Sequence, residues 1–153
     1  MEWTIRQAVA SDLESLVQLR IKQLAAEGAK ATCDLTEPLY AYYREVLTTA
    51  AQTMLVAECN GRIVANGGIS YTRKAPYYAN PTGMIGVVFA MYTEPDFRRA
   101  GIANSILHKL IDRAQKRGCG EIYVTASDMG VPFYAQAGFC PCENFRRLML
   151  HGK

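Results

Sequence analysis

No apolar run in the chain approaches the roughly 20 residues that a membrane-spanning helix needs. The opening Met1-Glu2-Trp3-Thr4-Ile5-Arg6 lacks a basic segment followed by an apolar one, so no secretory signal is read there. Histidine is scarce: His108 and His151 are the two present, and they form no ligand pattern. Cys33, Cys59, Cys119, Cys140 and Cys142 are odd in number and irregular in spacing. Cys140-Pro141-Cys142 has neither CxxC spacing nor a second ligand pair. Reduced thiols, a cytoplasmic location and no metal are therefore expected. Two phosphate loops are also missing. No GxGxxG follows a strand and no G-x-x-x-x-G-K-[ST] occurs, so a dehydrogenase or nucleotide-dependent kinase lacks its handle. Charge of one sign is not in large excess: 17 basic against 14 acidic residues leave +3. That suits an anionic small ligand and is too little to argue for nucleic acid.

What is present is ordinary globular composition, 50% hydrophobic and 20% charged, in a length that fits one domain over residues 1–153. Thr4 to Ala8 reads as a strand, followed by a Ser11-Asp12 helix cap and Leu13, Leu16, Val17, Arg20 and Leu24 at helical spacing up to Gly28. A second helix is expected over Glu37 to Ala50, with Pro38 in its first turn. Met54 to Glu58 and Ile63 to Tyr71 read as strands joined at Asn60-Gly61, a tight-hairpin signal. Arg73 to Gly83 is loop. Met84 to Thr93 is nearly continuous apolar chain, as in a strand covered on both faces.

The strongest helix follows: Ile102, Ala103, Ile106, Leu107, Leu110, Ile111 and Ala114 form one stripe, and Gly118 stops it. Glu121 to Ala126 is another strand, so strand, helix and strand make a crossover unit with parallel strands. Pro132 to Ala137 is a short helix closed by Gly138, and Phe145 to Leu150 a last strand. The pattern is a mixed α/β sheet.

Chemistry concentrates between Thr93 and Ala103, where a buried strand turns through Arg98-Arg99-Ala100-Gly101-Ile102-Ala103 into an amphipathic helix. A helix start exposes unpaired N–H groups and the positive end of the dipole, which receive phosphate oxygens. Gly101 permits close backbone approach and the two arginines add charge. The same residues also read as a solvated turn with a turn glycine.

This segment resembles the signature [RQ]-x-x-G-x-[GA] of the GCN5-related N-acetyltransferases, with Arg98, Gly101 and Ala103 in its specified positions. Met91 to Arg98 resembles that family's strand end, acidic-proline turn and motif entry. Ala126-Ser127-Asp128-Met129-Gly130-Val131-Pro132-Phe133-Tyr134 with Gly138-Phe139 resembles its second cofactor segment. The resemblance spans essentially the whole chain. It implies a mostly antiparallel central sheet with one splayed parallel pair and about four flanking helices. It also implies acetyl-CoA as acyl donor, its pyrophosphate on the amides of Arg98, Arg99, Ala100, Gly101, Ile102 and Ala103. Pantetheine would then run along Met91, Tyr92 and Thr93, with Ser127 standing where many relatives have asparagine.

Acyl transfer to an amine needs a deprotonated nitrogen, donors for the oxyanion and a proton for the departing thiolate. A free N–H near Met91 suits the second need. Tyr134, which the resemblance places facing the cofactor, suits the third; packing its ring on pantetheine is the alternative. No Asp, Glu or His lies within Met84 to Thr93, and Glu94, Asp96 and Asp128 read equally as capping or turn residues, so no base is assigned. Tyr40, Tyr42, Tyr43, Tyr77 and Tyr78 offer aromatic walls for a small-molecule or peptide amine, or plain packing. Homodimers are frequent among similar proteins. The competing reading is a non-catalytic acyl-CoA-binding regulatory module, since no base is visible.

Overall fold

The computed structural model describes residues 1–151. Its sheet carries five strands in sequence order: β1 (Thr4–Gln7), β2 (Gln52–Cys59), β3 (Arg62–Arg73), β4 (Met84–Thr93) and β5 (Glu121–Val124). The first four pair antiparallel; β4 and β5 pair parallel, joined by a crossover through α3 (Ile102–Lys116). Helices α1 (Leu13–Ala26) and α2 (Thr36–Val46) follow β1, and α4 (Val131–Gln136) follows β5. The mixed α/β class, the single parallel pair and the four flanking helices are as the sequence led us to expect.

Period-2 alternation sorts β2 between two cores. Leu55, Ala57 and Cys59 join Ile69, Val88 and the α3 stripe of Ile102, Ile106, Leu107, Leu110 and Ala114. Met54 and Val56 point the other way, to Leu16 and Val17 of α1 and Tyr43 and Val46 of α2. The β2–β3 hairpin turns on Asn60 (φ 51°) and Gly61 (φ 76°), the paired positive φ values that an Asn-Gly turn provides.

Strand β4 breaks the alternation. Val88 packs in the α3 core, Phe89 and Ala90 both face the α1–α2 core, and Met91 returns to the α3 side. The cause is a β-bulge: Asn66 and Gly68 of β3 stand opposite Tyr92 and Phe89, three residues apart on β4, and Ala90 sits at φ 53°. Glycines make room for it. A Cβ on Gly67 would come within 2.3 Å of the Met91 sulfur, and one on Gly68 within 2.4 Å of the Phe89 ring.

Several expectations are corrected. Asp12 does not cap α1 through its side chain; it ends a short 3₁₀ turn (Ala10–Asp12), accepting the Val9 N–H at 2.8 Å and a two-pronged Arg6 contact at 2.7 and 3.0 Å. The Arg6 contact holds the buried Asp12 carboxyl below the usual range. Helix α2 stops at Val46 rather than Ala50: the Thr48 N–H tightens onto the Glu45 carbonyl three residues back, and its hydroxyl bonds the Arg44 and Glu45 carbonyls. β5 ends at Val124, two residues short of Ala126. Phe145 to Leu150 forms no strand, and Phe145, Leu148, Met149 and Leu150 are all exposed. Its Phe-Arg-Arg-Leu-Met-Leu order is not period 2, and no neighbouring strand among the described residues supplies hydrogen bonds.

Ala90→Val is expected to destabilise the fold by about 2 kcal/mol, since a β-branched residue in the left-handed region adds crowding to a cost of about 1–2 kcal/mol. Ala90→Gly should stay within about 1 kcal/mol of the parent. Denaturant unfolding of the pair checks this: equal midpoints for Val and Gly would contradict it.

Candidate active site

The bulge bends β4 away from β5. Their pairing stops at Val88 and Val124, although β4 runs on to Thr93, so the two strands part and leave half of β4 with one edge uncovered. A cleft of about 740 Å³ fills the gap, walled by α1, α4 and the start of α3.

The uncovered edge offers donors. Glu94 gives its N–H to the Val64 carbonyl, which turns the backbone groups of Met91 and Thr93 to the other side. There the Thr93 carbonyl accepts Arg98 Nε at 2.9 Å, and the Met91 carbonyl accepts Gln23 Nε2 from α1 at 3.2 Å. With both carbonyls engaged, the N–H groups of Met91 and Thr93 are what the edge presents to the cleft.

The second feature lies at the start of α3. The amides from Arg99 to Asn104 donate to no protein acceptor among the described residues; the first helical bond is Ser105 N–H to the Gly101 carbonyl at 3.0 Å. Arg99 (φ 63°) and Gly101 (φ 81°) adopt left-handed backbone, which curls successive N–H groups into an anion-binding concavity. Space around Gly101 is open, with nothing within 4 Å of where a Cβ would stand. Oxygens of a pyrophosphate fit this donor set.

Met91, Tyr92, Thr93, Arg98, Arg99, Gly101, Ile102, Ala103, Ser127 and Tyr134 all line the cleft. Ala100 does not; it turns toward the α3 core. Arg98 is less free than its position suggests, since Nε is held by Thr93 and the guanidinium lies 5.5 Å over the Tyr92 ring. The Ser127 carbonyl starts α4 by accepting Gly130 and Val131 amides.

Tyr134 is 8% exposed and packs edge-to-face between Phe133 and Phe139, centroids 5.0 and 5.5 Å away. Burial, and secondarily the charge of Glu27, pushes its phenol up to about 12. Tyr134 lines the cleft.

The chain matches the family described as "Acetyltransferase (GNAT) domain" over residues 21–147. It belongs to the GNAT acetyltransferase family. A crystal structure titled as a predicted acetyltransferase with acetyl-CoA, from Clostridium acetobutylicum, is 33% identical. It superposes with TM-score 0.91 over 97% of both chains. A glucosamine 6-phosphate N-acetyltransferase of Trypanosoma brucei brucei is 26% identical over 90 residues, 59% of each chain. One from Oryza sativa subsp. japonica is 28% identical over 109 residues, 69% of this chain and 64% of its own. The matches thus span about three-fifths of these curated relatives' length.

Several residues that the sequence left ambiguous now have places in this GNAT domain. Glu94, 8% exposed, takes Lys22 Nζ at 2.6 Å and Arg62 at 3.6 Å, and is a structural ion pair. Asp96 and Asp128 are exposed and do not line the cleft. None of the five clustered tyrosines lines it either. Tyr43 is core, Tyr42 packs on Phe89, Tyr40 bonds Glu14, and Tyr77 bonds Glu121 at the far end of β5, with Tyr78 exposed beside it. Sequence reasoning missed Arg20 and Gln23 of α1 and its C-cap Glu27, which also line the cleft. A buried glutamine inside an apolar helical stripe was the one available signal.

Gly101→Glu is expected to abolish coenzyme A binding by calorimetry, placing a carboxylate and a strained φ in the anion concavity. Thermal denaturation should still show a cooperative transition. Unchanged affinity would remove the concavity from the site.

Proposed function

We propose that the chain transfers the acetyl group of acetyl-coenzyme A to a primary amine of a small molecule or peptide by direct attack. The observation that carries this reading is convergence: one cleft joins a run of free amides at α3, a donor-rich free edge on β4, and a buried phenol on α4. In this reading the α3 amides hold the pyrophosphate, and the β4 edge orients pantetheine through the Thr93 N–H. The Met91 N–H then faces the thioester carbonyl and stabilises the oxyanion. The Clostridium relative's complex with acetyl-CoA and the glucosamine 6-phosphate acetyltransferases support the donor and a small-molecule amine.

Tyr134 attends the leaving sulfur. With its phenol at about 12, full transfer to a free thiolate of pKa about 8.5 would run uphill by about 5 kcal/mol. The phenol therefore acts while the C–S bond is still breaking. It donates to the growing charge and recovers a proton as the new amide nitrogen sheds its own.

Tyr134→Phe keeps the ring packing and removes the donor, so single-turnover rates should fall by about 10²–10⁴-fold while coenzyme A affinity stays level. Retention of most activity when chemistry limits the rate would reduce Tyr134 to packing. The pH profile is a separate check. A phenol raised to about 12 loses its proton only as pH climbs toward that value. The profile should therefore show no alkaline fall from Tyr134 below about pH 10. An alkaline limb below that, absent in the Phe variant, would contradict the assignment.

A further inference from the structure

We infer that Arg20 receives an anionic group of the acceptor, so that the preferred acceptor carries a carboxylate or phosphate a few bonds from its reacting nitrogen. This rests on the acetyltransferase reading above and deepens it. Among the described residues lining the cleft, the cations are Arg20, Arg98 and Arg99. Arg98 is tied to the Thr93 carbonyl, and Arg99 belongs to the anion concavity. Arg20 is left, on the opposite wall.

Its place along the strand separates it from that concavity. Gln23 of α1 reaches the Met91 carbonyl at 3.2 Å. Arg20 stands about one helical turn before Gln23, beside Tyr42 and Tyr43: burial raises both phenols, and the charge of Arg20 works against it in each. The Tyr42 ring meets Phe89 edge-on, centroids 5.8 Å apart, and Phe89 lines the cleft. Along β4 the order is therefore Arg20 by Phe89, then Met91, then Thr93 and the α3 amides. A donor held on Met91, Thr93 and α3 leaves the Phe89 end to the second ligand. Two residues of strand span about 7 Å, which sets the reach from the reacting carbonyl to the anion.

Arg20 is half-buried and forms no salt bridge among the described residues. Its Nη1 donates to Gln23 Oε1 at 3.0 Å. The same glutamine donates Nε2 to Glu27 at 3.2 Å, so it stands between the two charges instead of letting them pair. Lys22, on the same helix, is the contrast: it pairs with Glu94 at 2.6 Å. A guanidinium drawn partly out of water without a counter-charge gains from a ligand anion, and its planar fork takes carboxylate or phosphate through two parallel bonds. Gln23 fixes one edge of that fork before the ligand arrives.

The test compares the wild-type chain with Arg20→Met and Arg20→Lys on aminopropyl phosphate, γ-aminobutyrate and propanolamine, the last neutral at its far end. Wild type should favour one of the two anionic amines over propanolamine by about 10-fold or more in kcat/KM, and which one identifies the anion. Arg20→Met should lower kcat/KM for that amine by about 10–100-fold while propanolamine stays within about 3-fold. Coenzyme A affinity by calorimetry should not change. Arg20→Lys keeps a charge and a donor for Gln23, and should restore most of the preference. Equal losses on all three amines would make Arg20 a support for Gln23 alone, and weakened coenzyme A binding would assign it to the donor. Either result overturns the subsite, as does a wild type with no preference for an anion. A wild-type chain that binds coenzyme A and turns over no amine overturns the acetyltransferase reading with it.

Discussion

The extra residue that β4 carries at Ala90 sets the rest of the site in place. A regular strand would stay paired with β5 to its end and would keep Val88 and Ala90 on one face. With the bulge, pairing stops at Val88, the Met91 and Thr93 amides become available, and Met91 points back toward α3. The glycine pair Gly67-Gly68 is the complementary feature on β3, since neither position has room for a Cβ. Left-handed backbone at a non-glycine costs about 1–2 kcal/mol, which the two packed cores on either face over-determine.

Around this opening the charged groups gather at two helix ends. The N-terminus of α3 presents six unpaired amides and two arginines. The C-terminal part of α1 presents Arg20 and Glu27, both bonded to the buried Gln23. An anionic ligand entering the cleft would find its donors at the α3 end.

Much of this was legible beforehand. The α3 stripe, the Asn-Gly hairpin and the apolar run of β4 are local patterns that gave a mixed α/β sheet with a parallel crossover, while the antiparallel remainder came from the family resemblance. The Arg98-to-Ala103 motif covers most of the unpaired amides, because amide exposure at a helix start needs no knowledge of tertiary contacts; Arg98 is the exception, its N–H going to the Pro95 carbonyl at 3.3 Å. The bulge was not legible, because it exists only relative to the register of β3. Glu27 was hidden for a similar reason: it lies 64 residues before Met91, and only folding brings α1 under the strand edge. The Phe145–Leu150 segment shows the converse error, in which β-forming residues were read as a strand although a strand also requires a neighbour.

The two cores lie on opposite faces of the sheet, and each backs a different wall of the cleft. Leu107 and Leu110 support the α3 side, while Leu16, Val17 and Val46 support the α1–α2 side. Sequence change can therefore accumulate in one layer with little strain on the other. A lineage that drifts through α1 and α2 would reshape one wall of the cleft while inheriting the other unchanged.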